Sequence, residues 1–106
     1  MKHRPGWPGK KEGDPAHDRI AACLATDIQS VPQKAKWVLD EIAAVQNGDV
    51  TSWEMGMNAY MLKVGGKITE IIPVYEETGE EAISVPTDEF RDALEAWYAL
   101  ISQSRD

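Results

Sequence analysis

The sequence predicts an α+β fold: two N-terminal helices, a three- or four-stranded antiparallel meander, and a C-terminal helix packed on one sheet face. Three observations predict it. Apolar residues recur at helical spacing before residue 48 and after residue 87, whereas between them the period shortens toward two. Gly65-Gly66 separates two apolar, β-prone runs, as a hairpin connection would. A chain of 106 residues with 42 % apolar content can build one core but not two.

Residues 1–14, MKHRPGWPGKKEGD, are rich in Gly, Pro and Lys and read as an arm, with Trp7 as the side chain suited to a groove. Residues 15–106 form the single α+β domain. Asp14-Pro15 is a helix start, an N-cap acceptor followed by a residue with fixed φ and no donor. Ile20, Cys23, Leu24 and Ile28 then mark a helix over 15–29. Ser30 and Pro32 repeat the start signal, and Ala35, Val38, Leu39, Ile42 and Val45 stripe a second helix that ends at Asn47-Gly48. Strands follow over 52–55 and 58–64, with their partner over 68–75. Pro73 lacks a backbone donor, which puts that partner strand at an edge or ends it there. An acidic turn over 76–81 leads to a further short strand over 82–85. Pro86 closes the extended segment, and Thr87, Asp88 and Glu89 open the last helix, whose stripe is Phe90, Leu94, Trp97, Tyr98 and Ile101.

The formal charge is −7, unevenly placed. Residues 1–19 carry five basic groups against Glu12, Asp14 and Asp18, a balance of +2, so the rest of the chain sums to −9. Such a body repels nucleic acid, whose binding depends on neutralising phosphates, and attracts a basic protein surface. Cys23 is the single cysteine, which excludes a scaffold built on intramolecular disulfides and fits a cytoplasmic setting. The N-terminus is charged, broken by Pro5 and Pro8, and lacks the apolar stretch of a signal peptide. No apolar run approaches the ~20 residues of a membrane span.

Chemistry-bearing residues are sparse. His3, His17 and Cys23 do not make the four-ligand spacing of a zinc site, and Cys23 at an apolar helix position reads as a small core residue. Gly65-Gly66 lies between two strands, unlike a phosphate loop, which leads into a helix. The carboxylates Glu76, Glu77, Glu80 and Glu81 read as a solvated turn or as an acidic patch for a basic partner. Trp97 fits the core stripe, Trp37 falls one position off its own stripe and is expected partly exposed, and Trp53 beside Glu54 suits either sheet packing or an interface hot spot. No arrangement of nucleophile, base and orienting group is legible, so the expectation is a binding protein without a cofactor or metal. A ligand site built from Tyr60, Trp53 and scattered carboxylates would be the enzymatic alternative.

The phrase Ser52-Trp53-Glu54-Met55-Gly56-Met57-Asn58-Ala59-Tyr60, followed by a hairpin, an acidic turn and Val85-Pro86-Thr87-Asp88-Glu89-Phe90-Arg91-Asp92-Ala93-Leu94-Glu95-Ala96-Trp97, resembles a group of small acidic bacterial proteins. Their pattern is W-E-x-x-x-N-A-Y, a hairpin, and a Pro-initiated helix carrying F-x-x-A-L-x-x-W. Many are similar to immunity proteins encoded beside polymorphic or contact-dependent growth-inhibition toxins. The resemblance covers about residues 37–101. It implies a protein that binds the toxin domain of a neighbouring gene and covers its basic active site; such toxins are often nucleases acting on tRNA. On this reading the partner-binding candidates are Trp53, Glu54, Glu76, Glu77, Glu80 and Glu81. The alternative is a cytosolic homo-oligomeric interaction module, paired through the strand edge near Pro73 or through an aromatic patch.

Overall fold

The computed structural model describes residues 5–75 and 79–103. Asp14 opens α1 (Pro15–Cys23) as the sequence predicts: its Oδ1 accepts from the amides of Ala16 at 2.9 Å and His17 at 3.2 Å, and Pro15 sits in the first turn. Those amide bonds, that of His17 above all, hold the Asp14 carboxyl below its ordinary range.

The helix expected over 15–29 is not uniform. After Cys23 it widens into a π-helical turn, Leu24–Ile28, that closes on the Gln29 N–H to Leu24 carbonyl bond at 2.8 Å. Gln29 then leaves the helix with φ 56° and ψ −147°, a region that favours glycine. Its carbonyl accepts from Trp97 Nε1 at 2.8 Å, so a tertiary contact holds the strained residue in place. Replacing Gln29 with glycine should raise stability by about 1 kcal/mol, the relief of ~1–3 kcal/mol of strain less the entropy cost of glycine. A thermal melt checks this, and an unchanged or lower midpoint would mean that Gln29 sits there without strain.

The second helix, α2 (Pro32–Gln46), keeps Pro32 in its first turn, but its N-cap is Val31 and no side chain caps it. The reading of Ser30 as cap is therefore corrected: Ser30 lies one residue too early, and the Val31 carbonyl starts the helix by accepting from Lys34 and Ala35. Ala35, Val38, Ile42 and Val45 are buried, Leu39 packs at their margin, and Gly48 with φ 83° ends the turn after Asn47.

Strands β1 (Ser52–Gly56), β2 (Tyr60–Gly65), β3 (Ile68–Pro73) and β4 (Ile83–Pro86) form one antiparallel sheet in sequence order. Val64 opposes Thr69, so the β2–β3 connection turns on Gly66-Lys67, one residue later than expected. Gly65 is required by close approach, because a Cβ there would lie 2.9 Å from the Ile68 carbonyl oxygen. Pro73 ends β3 opposite Tyr60; β3 itself is an interior strand, and the edges are β1 and β4. Since β4 pairs with β3 only from Ile68 to Ile71, the missing donor of Pro73 costs no bond on that side.

Alternation assigns the faces. Tyr60, Leu62, Val64, Thr69, Ile71 and Val85 are buried beneath the helices, whereas Ile68 on the opposite face is 51 % exposed. The last helix, α3 (Thr87–Gln103), buries Phe90, Leu94, Trp97 and Ile101 as its stripe predicts, with Tyr98 at the margin. Thr87 closes the far end of the sheet: its hydroxyl donates to the Gly65 carbonyl at 2.7 Å, which leaves Thr69 to donate in the 2.9 Å Thr69–Thr87 contact. Within the N-terminal arm, Trp7 is 9 % exposed and meets the His17 ring edge-on at 5.5 Å, so the arm contributes an aromatic to the core. No helix among the described residues is long and apolar enough to cross a membrane.

Candidate partner-binding surface

The residues that the sequence grouped as a candidate site are dispersed by the fold. Trp53 opposes Val64 and therefore sits on the helix-covered face, packed against the core. Glu54, its neighbour, points to the other side, in register with Lys63 and, one strand further, Glu70. That row places one cation between two carboxylates on the open sheet face. Glu76 and Glu77 lie outside the described residues. Glu80 and Glu81 are both exposed, and Glu80 is also engaged: it accepts from the Tyr60 hydroxyl at 3.2 Å and lies 3.8 Å from Arg19 Nη2.

Arg19, counted in the sequence with the basic groups of residues 1–19, proves to be buried. Its Nη1 donates to the Ile71 carbonyl at 3.0 Å and its guanidinium lies over the Tyr60 ring at 5.2 Å. Burial raises the Tyr60 hydroxyl above its ordinary pKa, and the Glu80 charge raises it further. Because the folded state holds this proton more tightly, the contribution is intact below the unfolded value near 10.0 and is lost as pH rises through the higher folded value. Alkaline unfolding monitored by circular dichroism should therefore be steeper for the native chain than for Tyr60→Phe. Equal profiles would contradict the assignment.

Two further buried groups escaped the sequence reading. Asp27, 1 % exposed, accepts from the amides of Ala59 at 2.8 Å and Tyr60 at 3.0 Å, fastening the π-helical turn to the start of β2. His17 accepts the Lys11 amide on Nδ1 at 2.8 Å, which leaves its proton on Nε2 to donate to Glu89 at 2.8 Å. Neither has a local signal, because each partner comes from a different part of the chain. Cys23 is fully buried, and burial together with the nearby Asp27 charge pushes its thiol well above the ordinary range, which makes it a poor nucleophile.

A concavity lies between α2 and α3. It is an open groove of about 560 Å³, lined by Pro32, Gln33, Lys36, Trp37 and Asp40 of α2 and by Tyr98 and Ser102 of α3. Trp37 is 45 % exposed, as its off-stripe position predicts. Its indole Nε1 donates to Glu41 at 3.1 Å, and Trp53 meets it edge-on at 6.0 Å and 74°. Trp53 thus joins the surface indirectly, by bracing the exposed Trp37 from the sheet side.

Charge on the surface is one-sided. Among the described residues, eleven carboxylates are exposed, against three cations, Lys11, Lys36 and Lys67; Arg19 is buried, and Lys10, Lys34, Lys63 and Arg91 are only partly exposed. On α3 the exposed Asp88, Asp92 and Glu95 follow one another at i, i+4 and i+7, and Arg91 pairs with the first two at 3.4 and 3.3 Å, which leaves Glu95 outside that pairing. No protein-family model, curated protein or solved structure matches this chain.

Proposed function

We propose that this chain is an immunity protein: a stoichiometric, non-enzymatic inhibitor that binds a basic toxin domain in the cytoplasm of the producing cell. The nuclease class, and tRNA-directed nucleases in particular, fit best, because their active sites are cationic surfaces built to hold phosphates. The observation that carries the reading is the excess of exposed carboxylates over exposed cations. Carboxylates presented on a rigid scaffold compete for the positions that phosphates occupy, and the opposite charges accelerate encounter. The aromatic groove between α2 and α3 adds apolar contact to that attraction, and the inhibitor needs neither a cofactor nor a metal for such a role.

The test is capture of the tagged chain from its native host, followed by purification of any bound protein and assay of that protein against tRNA and DNA. The expected result is a basic partner whose nuclease activity is abolished by one equivalent of this chain, in a complex whose association slows as salt is raised. Recovery of the chain alone as a symmetric oligomer would replace this reading with the homo-oligomeric module. The open sheet face around Ile68 would then be the surface to examine.

A further inference from the structure

Trp37 is a surface aromatic whose orientation is fixed in advance. Its Nε1 is held by Glu41 and its ring is braced by the edge of Trp53, while 45 % of the residue still faces solvent. An exposed Trp already deprived of its rotamer freedom has little ordering cost left to meet on binding, and Trp is enriched at the centres of interfaces. Tyr98 supplies a second aromatic wall to the same groove. Ser102 also lines it, next to the Tyr98 wall on α3.

The charge at the groove specifies the ligand. Asp40 lines it, Glu41 stands beside Trp37, and the exposed Glu95 lies one helical turn before Tyr98, against the single lining cation Lys36. Lys36 Nζ donates to Asp40 Oδ1 at 2.8 Å, so a cation already occupies the carboxylate beside the aromatic walls. Both side chains of that pair are more than half exposed, and opening it costs little.

We infer that the groove between α2 and α3 is the anchor site for an arginine side chain, with the guanidinium stacked on Trp37 or Tyr98 and taking the place of Lys36 at Asp40. Arginine fits better than lysine because its guanidinium is planar, weakly hydrated and able to stack on an aromatic face while donating to a carboxylate. That the arginine belongs to a basic protein rests on the inhibitor reading above; the recognition chemistry itself does not.

The experiment uses the full chain and three small probes at low salt: N-acetyl-arginine amide, its lysine counterpart and its uncharged citrulline counterpart. Indole N–H resonances of the four tryptophans are followed by NMR. The arginine probe should give a saturable shift at Trp37 with Trp97 unmoved, bind at least about threefold more tightly than the lysine probe, and outcompete citrulline entirely. Trp37→Leu, which retains an apolar contact with Trp53, should weaken arginine about tenfold. Lys36→Gln should strengthen it about threefold by removing the resident cation. Shifts that never saturate and spread over the whole acidic surface, equal binding of citrulline, or no gain in Lys36→Gln would each overturn the site. None of those outcomes bears on whether a basic nuclease is captured, and failure of the capture would leave a saturable arginine site standing, so the two proposals fail separately.

Discussion

Replacing Asp27 with alanine is expected to lower folding stability by about 3–4 kcal/mol, a large share of what a small domain possesses. The carboxylate is 1 % exposed and accepts two backbone amides from a segment more than thirty residues away. Truncation leaves the buried Tyr60 amide and the part-buried Ala59 amide without that acceptor, and each orphan costs about 1–3 kcal/mol. Asparagine separates the contributions: it keeps one oxygen acceptor but turns an NH2 group toward the second amide, so a loss of about 2 kcal/mol is expected. Urea titration of the three proteins measures the series. An asparagine variant as stable as the native chain would show that one of the two amide bonds carries no weight.

Arg19→Ala should cost about 3 kcal/mol, the second largest loss. The side chain performs three tasks at once: it satisfies the Ile71 carbonyl at the point where β4 pairing begins, covers the Tyr60 ring, and stands by Glu80. Lysine is not a conservative replacement, because it brings neither the planar stack nor the second nitrogen that reaches toward Glu80, and about half of the loss should remain. A thermal melt in which Arg19→Lys matches the native chain would assign the effect to charge alone.

The elements were legible because they are written in local pattern. The α3 stripe from Phe90 to Ile101, the Asp14-Pro15 start and the Asn47-Gly48 stop each need only a few adjacent residues to state their meaning, and the fold honours all three. Shifts of one residue, Val31 rather than Ser30 at a cap and Gly66-Lys67 rather than Gly65-Gly66 at a turn, reflect backbone choices settled by the packing of whole elements. Asp27 and Arg19 were illegible for another reason. A carboxylate or guanidinium in a helical stretch looks solvated unless its distant partner is known, and those partners are 32 and 52 residues away. The candidate surface was half legible: the exposure of Trp37 followed from its place off the stripe, but its brace by Trp53 depends on sheet register, and nothing local gathers Glu54 with Glu80.

The strict neighbour-to-neighbour order of the four strands also bears on how the chain acquires its shape. Every strand pairs with the next one synthesised, so the meander forms by short loop closures, the regime in which small domains fold rapidly. The long-range clasps carry the larger closure cost: Arg19 to Ile71, Trp97 to Gln29 and His17 to Glu89 join segments 52, 68 and 72 residues apart. The groove between α2 and α3 depends on such long-range closure, because Tyr98 and Ser102 reach it from α3 and the rest of its lining from α2. A nascent chain would therefore become competent to bind only after its last helix has docked.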